Sequence, residues 1–173
     1  MSTPRKLRKA LSAALETLDE DPTDANCEPG LPGPEAPLME VQMAKACRML
    51  ELARDLIGGE KRLTAKGYYT ASVETAFAAI ERSMHAYLLA NDVVTDEEFL
   101  GHEAITKEAG EAGLFDEETA DYLEDLWRRN RSKVYYRAGL PTKDSAEAMV
   151  HLAREVHQLV RSTNRRLGEL CAC

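Results

Sequence analysis

After residue 37 the apolar positions of this chain recur three and four residues apart in successive runs, the spacing of amphipathic helices. Leu38 to Ile57 carries Val41, Ala46, Met49, Leu50, Ala53, Leu56 and Ile57 in such a stripe, and Gly58-Gly59 ends it. The longest run is Ala65 to Asn91, with Tyr69, Val73, Ala76, Phe77, Ile80, Met84, Tyr87 and Leu88 on one stripe, which predicts the central helix. Thr95 with Glu98 reads as a capping box opening a third helix through about Glu111, and Gly113 separates it from a fourth capped by Asp116. In that fourth helix Ala120, Leu123, Leu126, Trp127 and Val134 form the inward stripe, with Asn130 on the same face. Pro141-Thr142 starts a last helix whose inner face is Ala146, Met149, Val150, Ala153, Val156, Val160 and Leu167.

The first 37 residues follow different rules. Thr3-Pro4 can start a helix, and Leu7, Leu11, Leu15 and Leu18 recur at near-helical spacing, so residues 1–18 read as a short amphipathic arm made basic by Arg5, Lys6, Arg8 and Lys9. Residues 19–37 hold Pro22, Pro29, Pro32, Pro34 and Pro37 with Gly30 and Gly33, a composition that propagates no helix and builds no core, and read as a linker. The expectation is an all-α chain: arm, linker, and an antiparallel four- to five-helix bundle over residues 38–170.

Length and composition support one core rather than two, because 173 residues at 44% hydrophobic content bury one cohesive interior. Ala, Leu, Glu and Arg dominate, which favours helix over sheet. The N-terminal apolar run is broken by Ser12 and closed by Glu16, so it reads as neither signal peptide nor membrane span, and the expected location is cytoplasmic. None of Cys27, Cys47, Cys171 and Cys173 makes a CxxC pair or stands at zinc spacing with a histidine; all four read as free thiols, and no metal or cofactor is expected.

Charge changes the picture in one place. The net charge is -8, which argues against indiscriminate coating of nucleic acid, yet Leu126 to Lys143 contains no acid and six cations: Arg128, Arg129, Arg131, Lys133, Arg137 and Lys143. Trp127, Tyr135 and Tyr136 stand among them, a mixture suited to phosphate contact and base stacking. Without other context the same run also fits a solvated helix end whose cations complement the dipole.

From Lys66 onward the order of elements resembles the HEPN superfamily, helical bundles of prokaryotic toxin-antitoxin modules and RNA-processing proteins. GYYTASVETAFAAIERSMHAYLL corresponds to the long helix, GHEAITKEAGEAGLF to a shorter one, and YLEDLWRRNRSKVYYR to the helix with the family signature: an arginine, a polar residue, and a histidine further along. Arg129 and Asn130 match the first two; Val134, Tyr135 and Tyr136 occupy the positions where the histidine belongs. The resemblance implies a homodimer pairing two copies of this helix, metal-independent RNA cleavage in active members, and in some members a small nucleotidyltransferase partner that modifies a tyrosine, here Tyr136.

That chemistry needs a guanidinium fork for phosphate oxygens and an imidazole that exchanges protons near neutrality. A phenol with a pKa of roughly 10 is ionised in about one molecule in a thousand at pH 7, so Tyr135 or Tyr136 replaces the base poorly. The expected function is therefore an RNA- or nucleotide-binding module with a degenerate site: Arg129, Asn130, Tyr135 and Tyr136 at its centre, Arg128, Arg131, Lys133, Arg137 and Lys143 contacting phosphates. The alternatives are restricted cleavage through Arg129 with a tyrosine, and a non-catalytic partner of a nucleotidyltransferase. Of the histidines, His157 lies on an apolar stripe and reads as a hydrogen-bonded core residue, while His102 is better placed to reach another element. No Glu-x-x-His pair, HExxH, P-loop or GxSxG pattern is present.

Overall fold

The computed structural model describes residues 8, 12–15, 31–33, 35–59, 67–98, 100–136 and 141–171; the side chains of 130–136 lie outside this description. Among the described residues all regular structure is helical: α1 (Leu38–Leu56), α2 (Tyr69–Ala90), α3 (His102–Glu111), α4 (Glu117–Tyr136), α5 (Lys143–Thr163) and α6 (Arg165–Glu169). Contacts divide the chain into Met1–Glu35 and Ala36–Cys173. In the first unit Arg8 and residues 12–15 are helical and exposed, and the remainder of the expected arm and most of the expected linker lie outside the described residues.

The core of the second unit forms where α1, α2 and α5 pack on one another. Ala46, Ala53, Ala76, Ala79 and Ala153 are wholly buried, and their small side chains let the helix axes approach closely. Met43, Met84, Leu88 and Val160 fill the space between. α2 is closed from water on nearly every side in its second half, including Ser83 and His85, which a single apolar stripe does not anticipate. Ser72 Oγ donates to the Ala53 carbonyl at 2.6 Å, locking α2 to α1. An ion pair between Arg166 and Glu40 joins α6 to α1.

Helix ends follow local chemistry. Positive φ at Gly58 (85°) and Gly59 (132°) ends the turn after α1, a backbone that costs glycine little. Thr142 Oγ1 accepts from the Ser145 amide at 3.2 Å and caps α5. Two expectations are corrected. Glu98 does accept from the Thr95 amide at 2.7 Å, but the pair closes an isolated turn; Gly101 is extended (φ -69°, ψ 162°), and α3 starts only at His102. The last helix breaks at Asn164 (φ -144°, ψ 124°), whose side chain accepts from the Arg166 amide at 2.9 Å and restarts the chain as α6, so Leu167 is buried on a separate helix.

α4 is seated differently from α1, α2 and α5. It leans mainly on α3, which packs in turn on α2. Gly110 makes that seat possible, because a Cβ there would stand 3.1 Å from the Cβ of Ala120. Leu126 and Trp127 pack against the core as the expected stripe requires, but they, Ala120 and Leu123 are half-buried rather than buried, which corrects the depth expected of them; Asn130 and Val134 lie outside the described side chains.

Candidate functional site

Asp116 begins α4 by accepting from the Thr119 amide at 2.9 Å, and the hydrogen bonds from Thr119 hold its carboxyl below the usual range. The helix opens acidic and turns basic, the order its dipole favours. Arg128 pairs with Glu124, and Arg129 Nη2 lies 2.6 Å from Asp125 Oδ2; both cations are therefore matched to acids one turn earlier. The Arg129 side chain is still 69% exposed. Lys143, across the interval from α4, sits 3.5 Å from Glu147 on α5. The local excess of positive charge is thus smaller than the 126–143 segment alone suggests. The side chains of Asn130, Arg131, Lys133, Tyr135 and Tyr136, and Arg137 entirely, lie outside the described residues. The groove between α3 and α4, about 450 Å³, is lined by Glu111, Glu117, Asp121 and Glu124 together with Lys107, so it does not extend the basic edge.

A second polar place lies where α2, α3 and the turn before α3 meet. His102 Nδ1 is 2.6 Å from Glu81 Oε1, and its ring stands against the indole of Trp127 on α4 with centroids 5.5 Å apart. A carboxylate oxygen only accepts, so Nδ1–H donates and a neutral His102 carries its lone pair on Nε2. Arg82 donates to Gln42 Oε1 at 3.0 Å, and a cavity of about 270 Å³ opens beside Glu81, Arg82, His85, Asp96 and His102. His85 Nε2 is buried without a hydrogen-bond partner. Burial, then the nearby Arg82 charge, lowers its pKa against the opposing pull of Asp96. In the sequence His85 is one of four histidines able to supply an imidazole, with His102, His151 and His157, but a histidine on a helix carries no signal of a polar neighbour from another element.

A third place joins α1, α5 and the segment after α6. Cys47 and Cys171 form a disulfide with Cα atoms 6.0 Å apart, which corrects the expectation of free thiols at these two positions; Cys27 and Cys173 lie outside the described residues. His157, wholly buried, has its Nδ1 2.9 Å from Ser83 Oγ, in keeping with the core role expected of it. Burial, then the Arg161 charge, pushes its pKa down to about 4, so the ring is neutral at pH 7. Residues 47 and 171 are 124 positions apart, a separation at which spacing in the sequence carries no information about contact.

The geometry defines an all-α protein with a partly neutralised basic helix edge, a polar cavity at its flank and a buried sulfur–imidazole cluster. The chain belongs to the family described as domain of unknown function (DUF8154), whose model matches residues 2–173. No curated protein and no solved structure matches it. No helix among the described residues is long and apolar enough to cross a membrane.

Proposed function

We propose that this protein is a HEPN-like RNA- or nucleotide-binding module that docks phosphates on the basic edge of α4 and acts as a homodimer of antiparallel helical bundles. The carrying observation is the exposure of Arg129 beside Arg128: both guanidinium groups reach solvent and, among the described residues, pair with acids of the preceding turn at the surface. Such pairs contribute about 0.3–0.5 kcal/mol, so a phosphate able to take both forks displaces the carboxylates at small cost. The half-buried row Leu123, Leu126 and Trp127 supports a second copy as the cover of this helix, as the HEPN resemblance implies.

The test is RNA affinity across a salt series for the native chain, Arg128→Ala and Arg129→Ala. Each substitution is expected to weaken binding and to reduce the salt slope by about one per lost phosphate contact. Affinity and slope that both ignore these residues would remove the reading. Light scattering checks the dimer, and a monomer at binding concentrations would overturn that part.

One observation favours a cleavage reading as well. His102 is a histidine oriented by a carboxylate and standing against α4, so it, rather than Tyr135 or Tyr136, supplies an imidazole placed for proton transfer. Under this reading cleavage in chelator is abolished by both His102→Ala and Arg129→Ala; activity persisting in His102→Ala assigns the proton transfer elsewhere.

A further inference from the structure

α1 and α5 pack side by side, and the break at Asn164 turns the chain so that Cys171 returns to α1. The Sγ atoms of Cys47 and Cys171 and a ring nitrogen of His157 all lie within 4.8 Å of one another. His157 Nδ1 faces Ser83 Oγ, and that hydroxyl already donates its proton to the Ala79 carbonyl at 2.8 Å. The Ser83 oxygen therefore accepts from Nδ1–H, and the lone pair of the neutral ring resides on Nε2. Nε2 is buried and has no hydrogen-bond partner among the described residues, a condition rare in folded proteins unless a water, ligand or ion meets the atom.

We propose that Cys47, His157 and Cys171 are a binding site for a zinc-class divalent ion in the reduced protein, and that the disulfide is the metal-free, oxidised state of the same site. The donor set of two thiolates and one imidazole selects a soft or borderline ion over magnesium or calcium. Tetrahedral zinc, with bonds of about 2.3 Å to sulfur and 2.0 Å to nitrogen, needs donor atoms roughly 3.5–3.8 Å apart, so the sulfurs must part once the bridge is reduced, while all three donors already stand within 4.8 Å. Ser83 plays the positioning part, fixing the tautomer that presents Nε2. Three protein donors leave a fourth position for water. Cys47 is half-buried, and a cavity of about 120 Å³ between α1 and α5 reaches His157.

The interconversion balances with a dithiol as reductant. The S–S bond accepts two electrons and two protons, giving two thiols, while the dithiol closes its own disulfide. Metal binding then releases both thiol protons to water, and the two thiolates cancel the charge of the ion.

The full-length chain, reduced with dithiothreitol and freed of it without air, is titrated with cobalt(II) and then zinc(II). The expected result is one equivalent of cobalt with the intense visible bands and sulfur charge transfer of a tetrahedral thiolate site, displaced by zinc, and no such bands in the oxidised chain. Cys27→Ser keeps the bands, Cys47→Ser loses them, and Ser83→Ala weakens binding 10–100-fold. A reduced, helical chain that gives only the pale spectrum of solvated cobalt overturns the proposal. So does a chain that unfolds on reduction and is not refolded by zinc. Bands that persist unchanged in Cys47→Ser overturn it too, and the wild-type comparison decides the matter even where a variant fails to fold.

Discussion

α2 and α4 are nearly equal in length, 22 and 20 residues, and both carry an apolar stripe, yet they do different work. α2 buries thirteen of its side chains; in α4, residues 117–129 bury none. The difference comes from neighbours rather than from the stripe. α2 touches α1, α3 and α5, whereas α4 leans mainly on α3. A helix held on one side keeps its charged edge available, and substitutions there cost little folding energy. If α4 binds phosphates as proposed, stability and recognition are separable in this molecule.

The strongest way to break that contrast is to empty the core position of α2. Leu88→Ala, at a site wholly closed from water, is expected to lose about 2–5 kcal/mol by chemical denaturation, and a loss below about 1 kcal/mol would mean the core does not centre on α2. Charge reversal on α4 should do the opposite. Arg129→Glu is expected to leave stability within about 0.5 kcal/mol of the native chain while lowering RNA affinity at least tenfold, about 1.4 kcal/mol. Equal damage to both properties would show that the two helices are not independent.

The polar cavity sharpens the contrast through pH. The folded pKa of His85 lies below its ordinary 6.5, so between those two values the unfolded chain binds the extra proton. The stability this group contributes is complete above about pH 6.5 and is lost as pH falls toward the folded value. His85→Gln should flatten the stability profile in that window, and an imidazole C2–H resonance titrating at or above 6.5 would contradict the assignment. The smallest effect belongs to the carboxylate that holds Arg129. Asp125→Asn is expected to change stability by no more than about 0.5 kcal/mol and to tighten RNA binding by releasing the guanidinium; weaker binding would show that the pair positions Arg129 instead of competing for it.

Much of the helical order was legible in the sequence because it rests on local chemistry. The cap at Asp116, the start after Thr142 and the stop at Gly58-Gly59 each need only a few neighbouring residues. The Thr95–Glu98 pair misled for the same reason: its hydrogen bond forms, but a bond across three residues does not compel a helix to continue. The neutralisation of Arg128 and Arg129 was written in the four-residue spacing to Glu124 and Asp125, acids that fall just outside the segment whose charge drew attention. The half-buried seat of α4, the meeting of His102 with Glu81 and Trp127, and the grouping of Cys47, His157 and Cys171 depend on how distant elements pack, which no periodicity encodes.

The bridge from residue 47 to residue 171 also sets a clock on biosynthesis. A nascent chain can fold α1 against α2 while still attached to the ribosome, but its first cysteine of the pair has no companion until residue 171 has emerged from the exit tunnel. A chain arrested after α4 but before that point carries all of α4 and none of the closure, so only a chain that has reached residue 171 can hold either the bridge or the paired thiolates.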